Sequence, residues 1–499
     1  MEIASDTMQQ VKPSVRTGYL EGVALAQRAW AETPLSLRAA LMGRLRRRIA
    51  SGAVELAETV PTNLVGALNR SVADTLVSEV LPLVEACRFL ECEAAWILAP
   101  KRLGRRGRPL WLAGVDAEVE RAPWGIVLVL AAANYPLFLA GAQTLQALVA
   151  GNAVLWKPAP GTETAAFALR TLLIECDMNP ELLTLLGSNM EAGADAIAAG
   201  VDHVVLTGSA ETGTAVLHQL ADTLTPATME LSGCDAVFVL QGAEIERVVQ
   251  ALAFGLRFNG SFTCMAPRRV FLVGMGETAV ADFEARLAGA LMDAAPVPIS
   301  IKTFALLREL IADARKQGAE ILLDGIRGES AASHAVGATL IARATPALLS
   351  MQTDIFAPIL SVMRVADMDE AFAACAACAY ALTASVFGPL REARVFAGKL
   401  RVGNVLINDI VAPTADPRIP FGGRGRSGFG VTRGAEGLLA MTTPRTIQTQ
   451  RSHSMRAYQA TGSEHIPLFA GLTEMLHGSS LRMRWAGMKR MLAAARKLK

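Results

Sequence analysis

The 499-residue chain lacks a dominant charge. It has 48 Lys/Arg against 46 Asp/Glu, a net +2, so no global field points to a nucleic-acid partner. It also lacks a disulfide framework: its seven cysteines (87, 92, 176, 234, 264, 375, 378) are odd in number and irregular in spacing. The opening "MEIASDTMQQVKPSVR" has no apolar core of the kind a secretory leader carries, and the expectation is a reducing cytoplasm. There is no internal repeat. No metal-ligand spacing stands out either. Cys375 and Cys378 form a CxxC, but within "DEAFAACAACAYAL" they read as two small core residues on a helix face, so no metal is expected.

One apparent abundance is deceptive. No charged residue occurs between Arg121 and Lys157, a run long enough to suggest a membrane span. Asn134, Pro136, Gln143, Gln146 and Gly151-Asn152 interrupt it. The pattern predicts a strand over 125–131, a turn at 134–136, a helix over 137–150 and a strand over 153–156. Strands buried on both faces read as such apolar runs in parallel sheets.

Residues 17–100 are helical by period, and a basic link "KRLGRRGRP" follows them. A strand is expected around "LWLAGVDAEVERAP". From 125 to 233, strand and helix alternate ("GIVLVLAA", "AVLWKPA", "LLTLLG", "HVVLTGS"), the form of a doubly wound α/β sheet. A second α/β series follows to about 409, then "IPFGGRGRSGFG" and a last strand, "TPRTIQTQ".

The polar residues at the ends of these strands are ambiguous singly. Asn134 suits an Asx turn before Pro136. Lys157 stands at a strand's C-terminal end, the edge that faces the ligand crevice in open sheets. Gly208, Ser209 and Gly213 lie between a strand and a helix, where free N–H groups meet an anion. Glu230 ends an apolar run, and Cys264 sits in "RFNGSFTCMAPRRV". In order, these residues with "DIFAP" (354–358), Asn408 and "PFGGRGRSGFG" resemble the NAD(P)-dependent aldehyde dehydrogenase superfamily over roughly residues 20–450. "DHVVLTGSAETG", "LTPATMEL" and "YALTASVFG" look closest to its class 3 or fatty-aldehyde-like branch.

The resemblance implies two doubly wound α/β domains plus a small β oligomerisation element. Its NAD(P)-binding domain would comprise residues 1–107 and 121–233, and its catalytic domain 234–412. Strands at 108–120 and 443–450 would pair two copies into a homodimer. It implies Cys264 as nucleophile, Glu230 as general base, and Asn134 with the Cys264 N–H as oxyanion donors. Lys157 would bond the adenosine ribose, Ser209 with Gly208 and Gly213 the pyrophosphate, Asp354 the nicotinamide ribose, and Phe356 would flank the nicotinamide of NAD or NADP.

Several positions depart from the family. Ala159 and Pro160 replace Ser-Glu after Lys157-Pro158, which removes a carboxylate that would repel a 2′-phosphate and leaves NAD against NADP open. Ser232 and Cys234 replace glycine and lysine, Ser261 and Phe262 replace Gly-Gln, Asp354 replaces glutamate, and Ala133 replaces tryptophan. A looser or shifted nicotinamide is the expected consequence. Phe262, Met265, Ile410 and Val411 suggest an apolar aldehyde. A CoA-acylating relative and a catalytically weak scaffold are the alternatives; Glu230 weighs against the first, and retention of both Glu230 and Cys264 against the second.

Residues 451–499 carry nine Lys/Arg against Glu464 and Glu474, a net +7 on a remainder of −5. In "LRMRWAGMKRMLAAARKLK", Leu481, Trp485, Met488, Leu492 and Ala495 fall on one helical stripe. A basic amphipathic helix suits an anionic membrane surface, so a cytoplasmic enzyme with peripheral membrane contact through this tail is one expectation. Packing of the stripe on protein is the other.

Overall fold

The computed structural model describes residues 18–61, 70–326, 335–451, 458 and 460–498. The amino-terminal stretch read for a leader lies outside them. The uncharged run resolves as its punctuation requires. Strands Ile126–Leu130 and Ala153–Lys157 pair in parallel, and the helix Phe138–Ala150 between them is buried along its whole length. Gly151, at φ 102°, ends that helix in the left-handed region where glycine carries no Cβ penalty. Among the described residues no helix is long and apolar enough to cross a membrane.

The first sheet has six strands in the order Gly428–Phe429, Ala227–Leu231, His203–Gly208, Ile126–Leu130, Ala153–Lys157, Leu183–Leu185. All its pairings are parallel except the outermost, where Gly428 lies antiparallel to Glu230. This strand explains part of the glycine-rich segment: a Cβ on Gly428 would fall 2.0 Å from the Met229 carbonyl oxygen. The second sheet has seven strands in the order Glu320–Leu323, Thr339–Ala342, Ile359–Val365, Pro267–Val273, Asp235–Val239, Thr383–Phe387, Asn404–Ile407. Only its Glu320–Leu323 edge is antiparallel. Apolar clusters cover both faces, as a sheet flanked by helices demands.

The strand expected around "LWLAGVDAEVERAP" begins only at Val115. Pro109 opens a single 3₁₀ turn over Leu110–Leu112 before it. Asn408, singled out by the sequence, is structural here: its amide bonds both the N–H and the carbonyl of Gly388.

The chain divides into two compact units. One comprises Met1–Pro100 with Glu120–Arg445 and holds both sheets; the other comprises Lys101–Val119 with Thr446–Lys499. In the second unit, Lys101–Leu103 pairs antiparallel with Val119–Ala117, in a three-stranded sheet whose third member there is the 446–450 part of the strand Thr442–Gln450. It also holds two helices, Ile466–His477 and Leu481–Lys497, that meet through glycines. A Cβ at Gly487 would lie 2.5 Å from the Met475 nitrogen, and one at Gly471 2.6 Å from that of Met491. The helix contact therefore uses Gly487 and Ala494, and leaves Leu481, Trp485 and Leu492 exposed.

Candidate active site

The C-terminal ends of the first sheet's strands supply most of the site. Asn134 follows strand Ile126–Leu130, Thr207 and Gly208 end His203–Gly208, and Glu230 and Leu231 end Ala227–Leu231. Cys264 arrives from the other side, three residues before strand Pro267–Val273. These elements enclose a pocket of about 90 Å³, lined by Asn134, Gly208, Ser209, Glu230, Cys264 and Phe356 together with Ser232 and Phe262. Six of the nine residues expected from the sequence thus meet in one place.

The other three lie around it. Lys157 ends its strand half-buried; burial lowers its ammonium pKa, and the nearby Glu163 carboxylate acts against this. Glu163 was not singled out by the sequence, and it supplies a carboxylate close to Lys157 where Ala159 and Pro160 lack one. Gly213 has a packing reason to be glycine, since a Cβ there would be 2.7 Å from Leu231 Cδ1. Asp354 accepts a hydrogen bond from the Ser232 hydroxyl. Two departures from the family pattern are therefore in direct contact, the added hydroxyl meeting the shortened carboxylate.

Glu230 is buried, with Oε2 accepting from Thr432 Oγ1 at 2.5 Å and Oε1 without a partner among the described residues. Burial raises its pKa, while the Arg433 charge, the Thr432 hydroxyl and Gln143 lower it. The sequence reading missed Thr432 and Arg433, which follow the glycine-rich segment and reach Glu230 because that segment docks as an edge strand. Arg433 is buried, lies over the Phe421 ring at 4.5 Å and donates to the Thr414 carbonyl at 2.6 Å.

The Cys264 thiol is held well above its ordinary pKa, first by burial and then by the Glu230 and Asp235 carboxylates, with Arg433 opposing. The thiol is thus protonated at neutral pH in this arrangement, and attack requires a group to take its proton. Asn134 accepts from the Tyr135 N–H through Oδ1 at 3.1 Å, which leaves its amide nitrogen as the donor for the pocket it lines. Neither that nitrogen nor the Cys264 N–H has an acceptor among the described residues.

The loop before Cys264 is strained. Asn259, Gly260 and Ser261 take φ of 53°, 57° and 63°, the left-handed region. Ser261 stands where the resembled family has glycine. Buried Arg268 holds it there, donating to Ser261 Oγ at 2.7 Å and to its carbonyl at 2.9 Å. Phe262 crosses Phe356 edgewise with ring centroids 4.7 Å apart. Met265, Ile410 and Val411, expected in a substrate tunnel, are instead packed in the apolar core beside the cysteine.

A dinucleotide fits these residues. The helix Ala210–Ala221 opens on the pocket with Ser209 as its cap, accepting from the Thr212 N–H at 3.2 Å. A Cβ at Gly208 would meet nothing closer than 3.6 Å, so backbone and anion can approach there. Among the described residues no group of three or more His, Cys, Asp or Glu side chains could hold a metal ion.

Fold and site together present doubly wound sheets, a pocket at the ends of the strands, and a cysteine and a carboxylate lining it. The chain belongs to the aldehyde dehydrogenase family, whose sequence profile matches residues 16–447, and it is an oxidoreductase acting on aldehydes. It is 28% identical over 486 residues to the 4,4′-diapolycopene aldehyde oxidase of a Methylomonas species, covering 94% of this chain and 88% of that one. The NAD⁺ complex of a Mycobacterium tuberculosis aldehyde dehydrogenase superposes with a TM-score of 0.78 at 23% identity, covering 89% and 92%. Betaine aldehyde dehydrogenase from Staphylococcus aureus, also solved with NAD⁺, gives 0.79 at 20%, covering 90% and 92%. NAD or NADP is the cofactor that fits this family.

Proposed function

We propose that the protein oxidises an apolar aldehyde to the carboxylate with NAD or NADP, through a thiohemiacetal and then a thioester on Cys264. The carrying observation is that Cys264, Glu230 and Asn134 line one pocket with Gly208, Ser209 and Phe356. The Cys264 thiol gives its proton to solvent water, and Sγ bonds the aldehyde carbon while Asn134 and the Cys264 N–H donate to the oxyanion. Ser209, Lys157, Asp354 and Phe356 would hold NAD or NADP, which would supply the hydride acceptor. Glu230, with Oε1 free, then takes a proton from the water that hydrolyses the thioester. A buried carboxylate of raised pKa suits that role.

Phe262 and Phe356 favour an apolar substrate. The relative named as a 4,4′-diapolycopene aldehyde oxidase supports the same substrate class. We assign residues 1–107 and 121–233 to the cofactor domain, 234–412 to the catalytic domain, and 108–120 with 443–450 to pairing in a homodimer. The likeness to the class 3 or fatty-aldehyde-like branch remains part of this reading. The exposed Leu481, Trp485 and Leu492 beside Arg482, Lys489 and Arg496 favour peripheral contact of a cytoplasmic enzyme with anionic membranes. Flotation with anionic liposomes, comparing the full chain with one ending at Gln450, tests that contact; equal behaviour of the two ends the idea.

The central test follows nicotinamide absorbance with decanal or benzaldehyde, using NAD and NADP separately. Turnover in the parent, lost in Cys264→Ser, is expected. Absence of reduced cofactor without CoA, and its appearance when CoA is added, would favour the acylating alternative. Absence under both conditions would favour the scaffold.

A further inference from the structure

A buried ion pair outside the pocket connects the two loops that meet there. Arg70 and Glu79 are 5% and 0% exposed and form a salt bridge through Arg70 Nη1 and Glu79 Oε1. The helical stretch Val72–Ile97 is interrupted by a π-turn over Leu76–Val80, and Glu79 belongs to that turn. Single π-turns inside α-helices often fall at functional sites. Glu79 Oε2 accepts from the N–H groups of Leu137 and Phe138, at 2.7 and 3.0 Å, so it caps the helix that follows Asn134.

Arg70 spends its remaining donors on the two loops themselves. Nη2 donates to the Asn134 carbonyl at 2.7 Å, and Nε donates to Asn259 Oδ1 at 3.0 Å. Asn259 completes the link: its amide nitrogen donates to the Asn134 carbonyl at 3.1 Å and to the Phe262 carbonyl at 3.0 Å. Tyr135 adds a parallel tie, its hydroxyl 2.7 Å from Thr263 Oγ1 and its ring 5.3 Å from the Arg70 guanidinium. The Asn134 carbonyl is thus fixed from two sides, by groups that also grip the turn leading to Cys264.

We propose that Arg70, Glu79 and Asn259 are positioning residues that set the Asn134 amide at its working distance from Cys264. Arg70 and Asn259 lie 189 positions apart in the chain, and they share one acceptor, the Asn134 carbonyl. The planar guanidinium can serve Glu79, the Asn134 carbonyl and Asn259 at once. The donor and the nucleophile therefore move as one body. The role rests on the assignment of Asn134 as an oxyanion donor, and it acts on the chemical step alone, since the clamp touches no pocket-lining cofactor residue.

The test is a double-mutant cycle with steady-state kinetics, unfolding midpoints and NADH fluorescence quenching. Arg70→Gln should lower kcat by about 10- to 100-fold, because misplacement by an ångström at a reacting centre costs that much. KM and NADH binding should change little, and Arg70→Lys should restore part of kcat. Asn259→Asp keeps an acceptor for Arg70 but removes both amide donations, and its backbone tolerates the left-handed region. It should reproduce the kcat loss even if Arg70→Gln proves too unstable to purify. Combining either change with Asn134→Ala should cost no more than Asn134→Ala alone. Additive losses, or a lowered midpoint with unchanged kcat in the folded protein, would overturn the clamp. A full kcat in Asn134→Ala would instead overturn the oxyanion assignment, and the clamp with it.

Discussion

At Glu230 two roles of one carboxylate pull in opposite directions and can be separated. Its negative charge raises the Cys264 pKa, so Glu230→Gln should increase the thiolate fraction and speed alkylation of Cys264 by iodoacetamide at pH 7. The same change removes the proposed base for hydrolysis, and turnover should fall on the order of 10²- to 10⁴-fold. Unchanged turnover would remove Glu230 from the mechanism, and slower alkylation would contradict the electrostatics. Ser232 and Asp354 offer a second test. Because the hydroxyl donates to the carboxylate, Ser232→Gly and Asp354→Glu should each weaken NADH binding. The double substitution should bind better than the sum of the two, by roughly 1 kcal/mol of coupling. Purely additive effects would show that the two positions do not compensate. The identities of both residues were legible in the sequence as departures. Their contact was not, since 122 residues separate them.

Among the elements, the turn before Cys264 shows what a motif conceals. Ser-Phe-Thr-Cys read as a loss of glycine, and the structure shows the cost and its compensation. A left-handed serine costs about 1–2 kcal/mol. A hydrogen bond to a charged group returns roughly 1.5–3 kcal/mol, so the tether to Arg268 outweighs the strain. Ser261→Gly is therefore expected to destabilise the protein by about 1 kcal/mol in denaturant titration, and a gain in stability would reverse that ranking. The strands and helices of 121–157 were legible because apolar runs and turn residues are local signals. The reason for Gly213 was not: spacing suggested a phosphate turn, and the contact with Leu231 depends on how helix and sheet pack. The same limit hid Thr432, whose bond to Glu230 exists only because Gly428–Phe429 joins the sheet.

Over the whole molecule, charge is sorted between units. The unit formed by Lys101–Val119 and Thr446–Lys499 carries fourteen Lys/Arg against four Asp/Glu, so the remainder of the chain is net negative. The sequence showed the basic tail and the basic link separately, and not that they share one unit. Pairing of the early and late segments in one sheet adds the "KRLGRRGR" cluster. Stability also has a pH signature inside the larger unit. Burial pushes the Asp235 carboxyl up to about 7, against hydrogen bonds from Thr383 and the charges of Arg269 and Arg268. The folded state then holds a proton that the unfolded chain releases near pH 4, so this contribution is complete in acid and is lost as pH rises towards 7. The slope is up to about 1.4 kcal/mol per pH unit. Unfolding midpoints between pH 5 and 8 should fall less in Asp235→Asn than in the parent, and parallel curves would exclude Asp235 as the source.

The edge strand Gly428–Phe429 carries a consequence for biosynthesis. Its neighbour Ala227–Leu231 is made nearly two hundred residues earlier, and on a ribosome adding 5–20 residues per second that gap is about 10–40 s. During that interval the nascent chain presents an unpaired strand edge bearing Glu230, open to mispairing with other chains. That edge stays open until Gly428–Phe429 is made, and the carboxylate acquires its Thr432 contact only after that.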